Sequence, residues 1–173
     1  MGVLRLSGRK GIGFQFIRRS LLTMFLALLW APQLLADPVD TVGPRERCPV
    51  CGMFVAKYPV WVTQITMGDG KIRFFDGVKD LMVFYRTPDT YGARQDQLSE
   101  VWVKDYYSLE WIDGRKAFYV VGSDVYGPMG HELIPFATPE AAADFKKDHK
   151  GTKVISIDEI NLPLLDSMRQ GQK

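Results

Sequence analysis

Apolar and polar positions alternate in blocks along this 173-residue chain, and the blocks change period at Gly and Pro. Val60-Trp61-Val62-Thr63-Gln64-Ile65-Thr66-Met67 is β-rich, and Gly68-Asp69-Gly70 carries the turn chemistry of a hairpin. Lys71 to Phe75 alternates as the returning strand. Asp76 then reads as a helix N-cap for residues 77–85, where Leu81, Phe84 and Tyr85 fall at helical spacing; Pro88 ends the helix. A polar loop through Gln97 leads to a further strand over 101–107.

The second half repeats the pattern. Residues 117–121 and 131–136 predict two strands, and Thr138-Pro139-Glu140 predicts a helix start with Thr as cap and Pro in the first turn. Ala141 to Lys147 continues that helix, Gly151 stops it, and 153–157 closes as a strand. Each half thus reads strand, strand, helix, strand, which predicts an α+β protein of two similar small ββαβ units in tandem. The expected boundaries are 48–112 for the first unit and 113–160 for the second. Residues 37–47 read as a linker and 161–173 as a flexible tail.

Charge changes the picture at the N-terminus. Residues 1–36 hold Arg5, Arg9, Lys10, Arg18 and Arg19 and no acid; without them the chain has 17 basic and 20 acidic side chains, a net of −3. That body lacks the basic footprint of a nucleic-acid binder. Basic residues up to Arg19, an apolar run over 21–31 and Leu34-Leu35-Ala36 compose a secretory signal, with cleavage expected after Ala36. The apolar run is shorter than the ~20 residues of a spanning helix. An uncleaved anchor is the alternative, and peripheral membrane association goes with it. The apolar run does not end in a cysteine, so lipid attachment there is not expected. The mature protein is expected outside the cytoplasm.

In that compartment the two cysteines stand out. Cys48-Pro49-Val50-Cys51 is followed by Gly52 and Met53, and Met129-Gly130-His131-Glu132 lies about eighty residues on. A dithiol redox site needs its first Cys at a helix N-terminus after a strand, whereas a Pro-containing linker precedes Cys48. A zinc site would require Cys48, Cys51, His131 and His149, every Cys and His of the chain, at spacings unlike a zinc finger. A plain Cys48–Cys51 disulfide is the structural alternative. Thiolate, thioether and imidazole together suit Cu(I), which is soft and accepts low coordination numbers. In extended backbone, residues i and i+2 share a side, pairing Cys51 with Met53 and Met129 with His131. Asp76, Asp105, Glu110, Asp113 and Glu132 read as surface or capping carboxylates, and no acid pair is set up for catalysis.

Cys48-Pro49-Val50-Cys51-Gly52-Met53, the Phe74-Phe75-Asp76 helix entry and Met129-Gly130-His131-Glu132, in this order, resemble the NosL family over about residues 46–160. The resemblance implies a non-enzymatic, periplasmic Cu(I) metallochaperone serving nitrous oxide reductase through an ABC-type membrane maturation complex. It implies copper ligands at Cys48 or Cys51, Met129 and His131, with Met53 a further thioether. The N-terminus departs from the family, whose members are typically lipoproteins. A thiol-disulfide oxidoreductase that keeps copper ligands reduced, or a scaffold of the maturation complex, are the rival roles.

Overall fold

The computed structural model describes Gly2 and residues 37–171, so the rest of the expected signal segment lies outside the described residues. Among the described residues, two larger antiparallel sheets, a separate two-stranded hairpin and three α-helices make up the α+β unit. In the first sheet, β1 (Thr63–Met67) is flanked by β2 (Ile72–Phe75) and β3 (Leu98–Lys104), and β4 (Trp111–Asp113) extends the β3 edge. Helix α1 (Val78–Arg86) connects β2 to β3. In the second sheet, β5 (Phe118–Val121) is central. A short hairpin of β6 (Tyr126–Gly127) and β7 (Gly130–His131) precedes β8 (Ile134–Phe136). Helix α2 (Pro139–Asp148) and β9 (Lys153–Ile155) complete that half. The order β8-β5-β9 matches β2-β1-β3: in both sheets the first strand lies between the second and the strand after the helix.

The main core is shared between the halves. Tyr119 and Val121 of β5 pack with Ile65, Phe75, Leu81 and Val101, while Val120 joins Ile134, Phe136, Ala142 and Phe145 under α2. That alternation is the period-2 rule on a sheet buried on both faces. Helix α1 is buried from Val78 through Phe84, so it is an interior helix rather than a surface one. Thr138 caps α2, its side chain accepting a hydrogen bond from the Ala141 amide.

Three expectations are corrected. Residues from 161 onward do not simply fray: Leu162–Arg169 is a helix, α3, capped by Asn161, with Leu165 and Met168 buried in the main core. Arg86, at the end of α1, donates to the carbonyls of Ile157 and Ile160 and ties this leg down. The strand expected over 101–107 begins at Leu98 and stops at Lys104, because Asp105 turns the chain by accepting hydrogen bonds from the Tyr107 and Ser108 amides. The strand expected over 131–136 is split. His131 closes the β6–β7 hairpin, and Glu132 leaves the ladder to serve α1.

Candidate metal centre

The cysteine stretch is a tight loop closed by its own backbone. The amide of Cys48 donates to the Met53 carbonyl at 2.9 Å, that of Gly52 donates to the Cys48 carbonyl at 2.9 Å, and Arg47 bridges Phe54 at the neck. Gly52 sits at φ 77°, in the left-handed region that only glycine adopts without strain. This turn, not strand alternation, sets the directions of Cys51 and Met53. Cys48 is buried, Cys51 and Met53 are half-buried, and both thiols are free.

Facing the loop is the start of α1. Cys51 Sγ donates to Asp76 Oδ1 at 3.1 Å and Cys48 Sγ to Asp80 Oδ2 at 3.6 Å. One ligand atom from each of Cys48, Cys51, Asp76 and Asp80 lies within 4.8 Å of all the others. Both carboxylates are buried, and Asp76 Oδ2 has no hydrogen-bond partner. A buried carboxylate oxygen left unpaired is costly unless a cation or proton meets it. Burial, with the negative charge of Asp80 and Asp76 adding to it, pushes the Cys48 thiol up to about 12, and Cys51 moves the same way. Two protonated thiols and two carboxylates therefore share one pocket of acceptors, a set whose protons a metal cation displaces on binding.

Asp76 is not the N-cap. That position is Gly77, which has no capping side chain of its own, and the carboxylate of Glu132 reaches across from the other half instead. Its Oε1 accepts from the Lys79 amide at 2.5 Å and from the Leu133 amide at 2.9 Å, satisfying one of the donors a helix start leaves open. A Cβ at Gly77 would lie 2.3 Å from Glu132 Oε2, so a larger residue there would push on the capping carboxylate. Burial pushes the Glu132 carboxyl up to about 8. Lys79, 1% exposed, turns its ammonium to the carbonyls of Met129 and His131 at 2.7 and 2.8 Å. Met129 occupies the two-residue tip of the β6–β7 hairpin and is 46% exposed, whereas His131 is 8% exposed with its ring 4.9 Å from that of Tyr126.

The family model described as NosL matches residues 38–165, which contain every part of this site. The chain belongs to the NosL family. It is 27% identical over 174 residues to the copper-binding lipoprotein NosL of Achromobacter cycloclastes, covering 91% of this chain and 87% of that one. It is 30% identical over 135 residues to the copper-binding lipoprotein NosL of Stutzerimonas stutzeri, covering 73% and 69%. The crystal structure of the copper chaperone NosL from Shewanella denitrificans superposes with a TM-score of 0.64 at 25% identity. It covers 75% of this chain and 99% of that one.

In this NosL-family chain the thiols come together with Asp76 and Asp80. Met129 and His131 sit on a hairpin anchored to the same first turn of α1, and no His belongs to the thiol–carboxylate group among the described residues. The other histidine, His149, ends α2 with its ring stacked on Phe145 and Nδ1 3.1 Å from Asp124. Sequence reasoning missed Asp76 and Asp80. Asp76 lies just before the helix and Asp80 in its first turn, and the available signal was two acids four residues apart at an apolar helix entry, Phe74-Phe75-Asp76 to Leu81.

Proposed function

We propose that this protein is an exported Cu(I) chaperone that holds the ion for assembly of the copper sites of nitrous oxide reductase. The observation that carries the reading is the pair of unlinked thiols, Cys48 and Cys51, seated against buried Asp76 and Asp80 in one 4.8 Å group. That the relatives are copper-binding lipoproteins and a copper chaperone supports the choice of metal. Soft sulfur donors select Cu(I) over the harder divalent ions. Copper enters as cargo: the thiols give up their protons, for which Asp76 and Asp80 are the adjoining acceptors. Met129, exposed at the hairpin tip, and His131 behind it supply the thioether and imidazole, with Met53 at the loop end. An exposed thioether is a weak, exchangeable donor suited to handing the ion on by stepwise ligand replacement.

Anaerobic competition with a chromophoric Cu(I) chelator tests this. Cys48→Ser, Cys51→Ser, Met129→Ala and His131→Ala are each expected to weaken binding by roughly tenfold or more. Unchanged affinity in the two cysteine variants would overturn the reading. Transfer from the loaded protein to copper-free reductase tests the client, and retention of all copper on the chaperone argues for a different one. The redox alternative is disfavoured by the same geometry. Neighbouring carboxylates and burial hold the thiols protonated, opposite to the activated thiolate an oxidoreductase needs.

A further inference from the structure

We propose that Lys79 is a positioning residue for the cargo site: its buried ammonium fixes the Met129-Gly130-His131 turn against the helix turn that carries Asp80. The proposal rests on Met129 and His131 being copper donors, as argued above. Lys79 is among the largest fully buried side chains of the protein, and an ammonium is withdrawn from water only where acceptors replace it. Its acceptors are the carbonyls flanking Gly130, at 2.7 Å from Met129 and 2.8 Å from His131. Gly130 itself is at φ 86°, the left-handed conformation that glycine supplies to the turn between the two donors.

The backbone of Lys79 is held as firmly as its side chain sets the turn. Its amide donates to Glu132, one residue beyond His131, and Glu132 is wedged against Gly77 and Gly127, where a Cβ would come within 2.3 and 3.0 Å of its carboxylate. One lysine thus clamps both ends of the segment 129–132 to the first turn of α1. The next residue, Asp80, accepts the Cys48 thiol. The thiol group and the Met–His hairpin, which share no side-chain hydrogen bond among those described, are referenced to each other through this one turn.

Lys79→Met keeps the aliphatic stem and removes the ammonium; Lys79→Gln retains an uncharged amide NH2 as donor on a shorter stem. In the metal-free protein, NMR is expected to show His131 ring resonances shifted from the position Tyr126 imposes, with faster amide exchange at Gly130 and His131. In chelator competition Lys79→Met is expected to lose roughly tenfold in Cu(I) affinity, as for other outer residues of metal sites. Lys79→Gln should fall between it and wild type, and X-ray absorption should show the nitrogen contribution reduced while the cysteine sulfur is kept. On a Met129→Ala/His131→Ala background, Lys79→Met is expected to cause no additional loss. An additive loss there, or an unmoved His131 in the metal-free variant, overturns the proposal. If Lys79→Met does not fold, the same readouts on Lys79→Gln decide it. If Met129→Ala and His131→Ala leave affinity intact, it is the ligand assignment above that fails; the His131 resonances still report whether Lys79 sets the turn.

Discussion

A thiol beside a carboxylate keeps its proton, and that sets how Cys51 reacts before any metal arrives. Burial raises its pKa first, and its hydrogen bonds to Asp80 and Asp76 raise it further. In a Cys48→Ser background, Asp76→Asn is expected to speed iodoacetamide labelling of Cys51 at pH 8, because a lower pKa enlarges the thiolate fraction. An equal or slower rate would count against the carboxylate's role. Asp105 behaves oppositely. Burial pushes its carboxyl up, but the bonds from the Ser108 and Ala137 amides, the Ser108 hydroxyl and the Tyr107 amide outweigh it and hold the group below the usual range. A depressed carboxyl stabilises the fold above its unfolded pKa, and that contribution is lost as pH falls through the lower folded value. Asp105→Asn is therefore expected to cost roughly 1–3 kcal/mol at pH 7 in urea unfolding, and the difference from wild type should shrink in acid below about pH 4.

At the scale of elements, the sequence was most legible where periodicity and turn chemistry agreed. The β1–β2 hairpin with its Gly68-Asp69-Gly70 turn, and α2 with its Thr138 cap, stand close to where the pattern puts them. Legibility failed where a distant partner replaced a local signal. Asp76 has the right residue type and place for a cap, yet Glu132 of the other half does the capping and leaves Asp76 to Cys51. The thiol loop was visible as a motif, but its carboxylate wall was not, since adjacency of residues 48–51 to 76–80 is a tertiary fact. Likewise α3 looked like tail because its short amphipathic stripe, Leu165 and Met168, gains meaning only from packing on the main core. Leu165→Ala is expected to lower stability by about 2–5 kcal/mol in urea unfolding. A loss below 1 kcal/mol would mark α3 as peripheral. Gly77→Ala, whose Cβ meets the Glu132 carboxylate, is expected to cost about 1–3 kcal/mol although its backbone is extended and unstrained.

For the molecule as a whole, the two sheets are bound by a common core, and the site lies where their connections meet at the start of α1. The thiol–carboxylate group comes from residues 48–51 and 76–80 of the first half, and the second half reaches the same helix start through Met129, His131 and Glu132, which are hydrogen-bonded to Lys79. Among the described residues no helix is long and apolar enough to cross a membrane. If residues 1–36 act as the export signal their pattern predicts, sequencing of the protein recovered from the periplasm is expected to begin at Asp37. An intact N-terminus would indicate a retained anchor.

The hold of Arg86 on Ile157 and Ile160 has a consequence in time. A polypeptide leaving a ribosome or a translocation pore N-terminus first presents Cys48 and Cys51 more than a hundred residues before those two carbonyls emerge. Until they do, α1 has no closing leg at its far end, and the thiols stand on an unfinished support, open to oxidants and stray ions. The support that Ile157 and Ile160 give to the far end of α1 is thus made long after the thiol loop has emerged.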